Sequence, residues 1–165
     1  MEKLIERISN YHIVNTLIPG FIFTYLSKQL LSVDFYSEKI LYNFFIFYML
    51  GIICNRIGSI IIEPFFKLIH IVKFAPYEEY VKAELKNPKI ESLNTDNNFY
   101  RTICATILFI IGEKLYIYLI AICPFIASYK NEIIIFLVLT LFTFSYHKQT
   151  SYIKKRVETI NKQAS

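Results

Sequence analysis

Residues 41–62, LYNFFIFYMLGIICNRIGSIII, contain one charged side chain in a run of 22. A helix needs about 20 apolar residues to cross the roughly 30 Å hydrocarbon core of a bilayer. Three further segments, residues 13–31, 102–128 and 133–146, approach that requirement. Lipid admits only helices and closed barrels, and these runs lack the alternation of barrel strands. The sequence therefore predicts an all-α integral membrane protein with about four transmembrane helices.

Two of these segments are weaker than the others. Residues 13–31 include Pro19-Gly20 and Lys28, and residues 133–146 are apolar but short. A three-helix protein, with residues 13–31 lying in the membrane interface, is the alternative. Charged residues make up 19% of the chain and the mean hydropathy is +0.40, whereas soluble chains carry about 25% charged residues. A soluble globule and a disordered chain are both disfavoured.

The lysines and arginines predict the orientation. Most of them lie in the N-terminus, in residues 63–101 and in residues 147–165. The positive-inside rule then places both termini, a helical loop over 63–101 and a basic C-terminal tail over 147–165 in the cytoplasm. This predicts a multi-pass membrane protein with both termini in the cytoplasm.

Three local patterns occur within the predicted loop. Residues 65–74, FFKLIHIVKF, suit a helix on the lipid surface or a continuation of the second span. Residues 77–86, between Pro76 and Asn87-Pro88, predict a short helix. Residues 94–98, NTDNN, predict a turn before the third span.

Charges inside the spans are the strongest functional signal, because each costs several kcal/mol in lipid unless it is paired or hydrated. Arg56 and Glu113 are predicted to approach each other or to face a water-filled path. The alternative is that Arg56 extends to the headgroups while Glu113 pairs with Lys28 or Lys114. The residues predicted for a pore or gate are Asn55, Arg56, Ser59 and Glu113.

Small residues form a stripe on the second span. Gly51 and Gly58-Ser59 lie one heptad apart, with Asn55 between them. Such a stripe favours close helix packing, and in a homo-oligomer the same face can line a pore.

The C-terminal tail combines basic and aromatic side chains. It is predicted to bind a polyanion such as an oligonucleotide, whose phosphates would meet basic residues and whose bases would stack on tyrosines. The alternatives are an anchor on anionic headgroups or a protein partner. The predicted ligand-binding residues are Arg101, Lys148, Lys154, Lys155 and Arg156.

No catalytic or metal-binding pattern is present in the sequence. The three histidines are far apart, the three cysteines lie in apolar runs, and no glycine-rich phosphate loop occurs. An enzyme is not predicted, and neither a metal nor a cofactor is expected.

Two short stretches carry a family resemblance: Tyr100-Arg101-Thr102 before a span, and residues 145–158, SYHKQTSYIKKRVE, after the last one. With four apolar spans in a small chain, they resemble the membrane component of Hailong-type bacterial antiphage defence. The resemblance implies an oligomeric ion-conducting protein held closed by a DNA-like oligonucleotide, which a partner nucleotidyltransferase makes. Opening would depolarise the infected cell.

These features together predict a homo-oligomeric inner-membrane ion channel or membrane-permeabilising effector in antiphage defence. A ligand, expected to be an anionic oligonucleotide, would gate it from the cytoplasm. The alternatives are a non-conducting membrane scaffold and an accessory subunit that recruits a cytoplasmic partner.

Overall fold

A computed structural model describes residues 13–164, with side chains described over residues 15–162, and its regular structure there is helical. The predicted basic N-terminus, residues 1–12, lies outside the described residues. Helix α1 is Ile18–Leu31, preceded by a π-helical turn, Ile13–Leu17. The helices that follow are α2 (Ile40–Leu68), α3 (Tyr77–Lys86), α4 (Lys89–Ile122), α5 (Phe125–Ser128) and α6 (Lys130–Ala164).

Three of these helices are long and apolar enough to cross a membrane: α2, α4 and residues 130–162 of α6. The all-helical prediction is confirmed for the described residues. Helix α1 is not among the three, because it has 14 residues and contains Lys28 and Gln29. The described residues thus contain three candidate spans and a shorter helix, α1, packed beside two of them, and a fourth span stays a prediction.

Several predicted boundaries need correction. Helix α2 continues past residue 62 to Leu68, so residues 63–68 are not part of a loop. The predicted turn at residues 94–98 is wrong, because those residues lie inside α4. The predicted third span, 102–128, ends early, because α4 stops at Ile122 before Pro124. Residues 147–164 continue α6 as one 35-residue helix, and the short helix at 77–86 is confirmed.

The large apolar side chains of this fold lie mostly on its outside. Exposed examples run along every long helix, such as Phe45 on α2, Leu115 on α4 and Phe136 on α6. In the candidate span of α6 only 6% of the window is buried. Water would penalise such a surface, whereas lipid tails solvate it without cost.

The interior of the bundle is built from small and hydroxyl-bearing residues. Thr24, Thr102 and Thr106 are buried, and each hydroxyl donates to a carbonyl of the preceding turn of its own helix. Phe23 of α1 stacks on Phe109 of α4 at a ring separation of 4.6 Å. Small interior residues allow close helix packing where apolar burial supplies little driving force.

Helices α1 and α2 cross at two glycines. A Cβ at Gly20 would collide with the carbonyl of Phe47, and a Cβ at Gly51 would collide with the carbonyl of Thr16. Backbone therefore touches backbone at both points, as the small-residue stripe predicted for Gly51.

Beyond the ends of the apolar segments lies a second region, which we call the cap: α3, residues 89–100 of α4 and residues 149–164 of α6. Glu84 of α3 pairs with Arg156 of α6 at 2.9 Å, and Glu78 pairs with Lys162 at 3.2 Å. Val81 is fully buried. Burial raises the pKa of Tyr80 to about 12, and the Glu84 charge adds to this effect.

Replacing Gly51 with alanine should destabilise the fold by about 1–3 kcal/mol, because the new Cβ forces α1 away from α2. Gly112→Ala is the matched control, since a Cβ there meets no atom within 4 Å and alanine is the better helix former. The measurement is the unfolding free energy of the detergent-solubilised chain. Equal effects of the two substitutions would contradict the crossing described above.

Candidate functional site

Glu63, which is 7% exposed, holds three cations from three helices. Its Oε2 accepts a hydrogen bond from Arg101 Nη1 at 2.8 Å and lies 3.3 Å from Lys148 Nζ. Its Oε1 accepts from Lys67 Nζ at 2.8 Å. We call Glu63, Lys67, Arg101 and Lys148 the Glu63 cluster. It joins α2, α4 and α6 at one point.

The charges of this cluster do not balance. One carboxylate faces three cations, and Arg101 and Lys148 are only 16% and 24% exposed. Arg101 Nε is buried and has no hydrogen-bond partner among the residues that the structure describes. Since like charges at short range repel in a medium of low dielectric constant, the cluster has spare capacity for an anion.

The backbone beside Glu63 explains how Lys148 is held. Residues Gly58–Ile62 form a π-helical turn, in which the N–H of Glu63 donates to the carbonyl of Gly58. The next residue, Pro64, has no N–H to donate. The Ser59 carbonyl thus loses its usual helical donors, and Lys148 Nζ donates to it at 2.5 Å.

Asn55 and Gly58 complete the contact between α2 and α4. Asn55 is 3% exposed, and its Oδ1 accepts from Arg101 Nη2 at 3.2 Å. A Cβ at Gly58 would lie 3.3 Å from the Arg101 carbonyl oxygen, so the two helices are close here. Two predicted gate residues, Asn55 and Ser59, therefore lie against the Glu63 cluster.

Helix α6 is attached to the rest of the chain mainly through polar contacts in its second half. Lys148 binds Glu63 and the Ser59 carbonyl, Arg156 binds Glu84, and the Tyr77 hydroxyl donates to the Tyr152 carbonyl at 3.4 Å. Its first half, residues 130–146, presents mostly exposed apolar side chains. Apolar packing holds α6 only weakly, so these polar contacts determine where the helix lies.

The Glu63 cluster lies one membrane thickness from the opposite ends of the spans. The axial distances from Ile40 to Glu63, from Ile122 to Arg101 and from Lys130 to Lys148 are about 35, 32 and 27 Å at about 1.5 Å per residue. The hydrocarbon core is about 30 Å thick. The cluster therefore falls at the edge of the apolar layer, on the cap side.

Arg56 lies in an open crevice of about 400 Å³ between α2 and α6. Thr16 and Asn55 border this space, which we call the Arg56 crevice. In the described part of the chain, no ion pair or hydrogen bond connects the Arg56 side chain with another residue. Its other lining residues include Tyr48, Ile52, Phe142, Tyr146 and Gln149.

Glu113 is placed elsewhere. Its Oε2 accepts a hydrogen bond from Ser27 Oγ of α1 at 2.6 Å. Lys28 instead pairs with Asp34 at 2.8 Å, and this hydrogen bond holds the pKa of Asp34 below its usual value. Within the described residues Arg56 does not approach Glu113, and Glu113 forms an ion pair with neither Lys28 nor Lys114.

The predicted ligand-binding residues fall into two groups. Arg101 and Lys148 belong to the Glu63 cluster. Lys154, Lys155 and Arg156 lie on the cap, where Arg156 is paired with Glu84 and Lys154 lies 3.9 Å from Glu158. Lys155 lines a groove of about 460 Å³ between α3 and α6.

Glu63 itself is the residue that the sequence analysis missed. The sequence predicted it as the first residue of the cytoplasmic loop over 63–101. A usable signal was present: Glu63 and Lys67 are spaced i,i+4, directly after an apolar run, as expected for a helix that continues.

Replacing Glu63 with glutamine should lower the unfolding free energy by about 3 kcal/mol, because three cations lose a buried partner. Lys67→Gln should cost about 0.5 kcal/mol or less, because Lys67 is 43% exposed and forms an i,i+4 pair. Denaturant titration of both variants in detergent measures the difference. Similar losses for the two would show that Glu63 is not the common partner.

We compared the chain with protein-family models, with curated proteins and with solved structures. None of the three comparisons found a match.

Proposed function

We propose that the chain is the protomer of a homo-oligomeric channel in the bacterial inner membrane, gated from the cytoplasm by an anionic ligand. The observation that carries the proposal is the attachment of α6. This helix crosses the apolar layer with little packing of its own, and charged residues at the edge of that layer hold it. A change at those charges would shift a membrane-crossing helix.

The distribution of charge supports a cytoplasmic position for the cap. Most lysines and arginines of the described residues lie in the cap or the Glu63 cluster, and few lie near the opposite ends of the spans. By the positive-inside rule, the cap faces the cytoplasm. With α1 running beside α2 and α4, a four-span topology would also place the N-terminus there.

Oligomerisation follows from the size of the bundle. One chain supplies a narrow core of threonine, serine and glycine, and its Arg56 crevice is open to the side. Several copies are needed to enclose an aqueous path. In this proposal the Glu63 cluster, with Asn55 and Ser59, forms the gate of each protomer.

The charge imbalance favours a ligand that stabilises the closed arrangement. Lys148 and Arg101 repel each other, and Glu63 compensates only one unit of their charge. Phosphates bound beside them would add compensation and keep α6 in place. This agrees with what the resemblance to Hailong-type effectors implies, namely closure by an oligonucleotide in antiphage defence.

Lys148→Gln should raise the resting ion flux of proteoliposomes, because it removes both contacts of Lys148 with α2. Lys130→Gln, an exposed position at the opposite end of the same helix, should leave the flux unchanged. Dye-monitored potassium efflux measures both. An absence of flux from wild type and Lys148→Gln, across lipids and potentials, would reject the channel.

A single-stranded DNA oligonucleotide should bind the full chain in detergent through Lys154 and Lys155. Replacing both with glutamine should reduce the slope of log affinity against log salt by about 1.4, or about 0.7 for each lost phosphate contact. The matched control is Lys39→Gln with Lys130→Gln, which removes the same charge at the other end. An unchanged slope would reject the oligonucleotide as the ligand.

The groove between α3 and α6 favours a second candidate function. Its lining mixes Glu78, Glu79 and Glu158 with Lys82 and Lys155, a composition that suits a protein partner. In this case the chain is a non-conducting membrane scaffold that recruits a cytoplasmic protein. It predicts no flux from any variant and loss of a co-purifying protein after Glu79→Lys.

A further inference from the structure

Arg56 carries a charge that the described chain does not compensate. It lies inside the candidate span Ile40–Leu68, is half-buried, and has no ion pair or hydrogen bond to a described residue. An unpaired charge in the apolar layer is costly unless water or an external group meets it. The partner of Arg56 is therefore water or a group outside the described residues.

The depth of Arg56 identifies the region in which that partner lies. Arg56 precedes Glu63 by seven residues, which is about 10 Å along the helix axis. An extended arginine side chain covers most of that distance when it directs its guanidinium toward the interface. Gln149, which lines the same crevice, follows Lys148 of the Glu63 cluster by one residue. A guanidinium directed this way lies just inside the edge of the apolar layer, where a lipid phosphate drawn toward the crevice can meet it.

The lining of the Arg56 crevice changes character along its length. Gln149 and Tyr146 lie toward the cap, while Ile52, Tyr48 and Phe142 lie deeper in the apolar layer. The space of about 400 Å³ is open to the side and lies between two candidate spans. It offers polar groups at the cap end and apolar side chains deeper in the layer. A phospholipid has the same order, with a polar headgroup above its acyl chains.

We propose that the Arg56 crevice binds the phosphate of an anionic phospholipid. The Arg56 guanidinium would bind two phosphate oxygens side by side, which is the geometry that a lysine cannot reproduce. Gln149 and Tyr146 supply further donors, and the start of an acyl chain lies against Ile52 and Phe142. Basic sites between spans on the cytoplasmic side favour such headgroups. The proposal is independent of ion conduction.

The experiment is native mass spectrometry of the full chain, purified in detergent and mixed with phosphatidylglycerol or phosphatidylcholine. Wild type should retain phosphatidylglycerol preferentially. Arg56→Gln should reduce that preference about fivefold, the effect of one basic residue near the interface. Lys114→Gln, an exposed cation within α4, removes the same charge and should leave the preference unchanged.

Further arms separate the remaining explanations. Arg56→Lys should retain charge and fold but recover only part of the preference, because it lacks the paired donors. Inorganic phosphate and glycerol phosphate should not displace the lipid. An unchanged preference in Arg56→Gln would overturn the proposal. Displacement of the lipid by inorganic phosphate would show that the ligand is not a lipid. If Arg56→Gln formed a smaller oligomer and retained lipid as wild type does, Arg56 would instead belong to a contact between copies of the chain.

Discussion

The arrangement of the bundle depends on one carboxylate at the edge of the apolar layer. Glu63 compensates cations from its own helix, from α4 and from α6, and without it Arg101 and Lys148 would repel each other. Its position follows from a local feature of α2, the π-helical turn before Pro64, which also presents the Ser59 carbonyl to Lys148. A single ionic junction thus joins three helices, and apolar packing adds little to the attachment of one of them, α6.

That junction connects two environments. The first half of α6 lies along the apolar layer and its second half forms part of the cap, in one unbroken helix. Because the helix is continuous, a displacement at Arg156 or Lys148 is transmitted to residues 130–146. The Arg56 crevice lies between α2 and α6, next to the same junction through Asn55. Lipid and ligand would therefore act on neighbouring parts of one contact.

Some elements were predictable because local signals agreed. Helix α3 is bounded by Pro76 and by Asn87-Pro88, and the structure keeps those bounds. The turn predicted at residues 94–98 is absent. Helix α4 already begins at Lys89, so its apolar part continues toward the N-terminus through residues that are weak helix formers. Glu63 was predicted to begin a loop, whereas α2 continues through it to Leu68 by way of a π-helical turn. Arg56 and Glu113 were predicted to approach each other or to face a water-filled path, but Glu113 accepts a hydrogen bond from Ser27 and Arg56 lies beside α6.

The sequence by itself determined the helical class, the suitability of three segments for lipid and the concentration of positive charge at one end. These properties depend on composition and on run length, which short windows of sequence contain. Only the tertiary structure decided which charges share a partner, that α1 crosses α2 at two glycines and that α6 is held by its polar half. Those features depend on how each helix is rotated and how deep it lies relative to its neighbours. Contacts between residues far apart in the sequence determine that rotation and that depth.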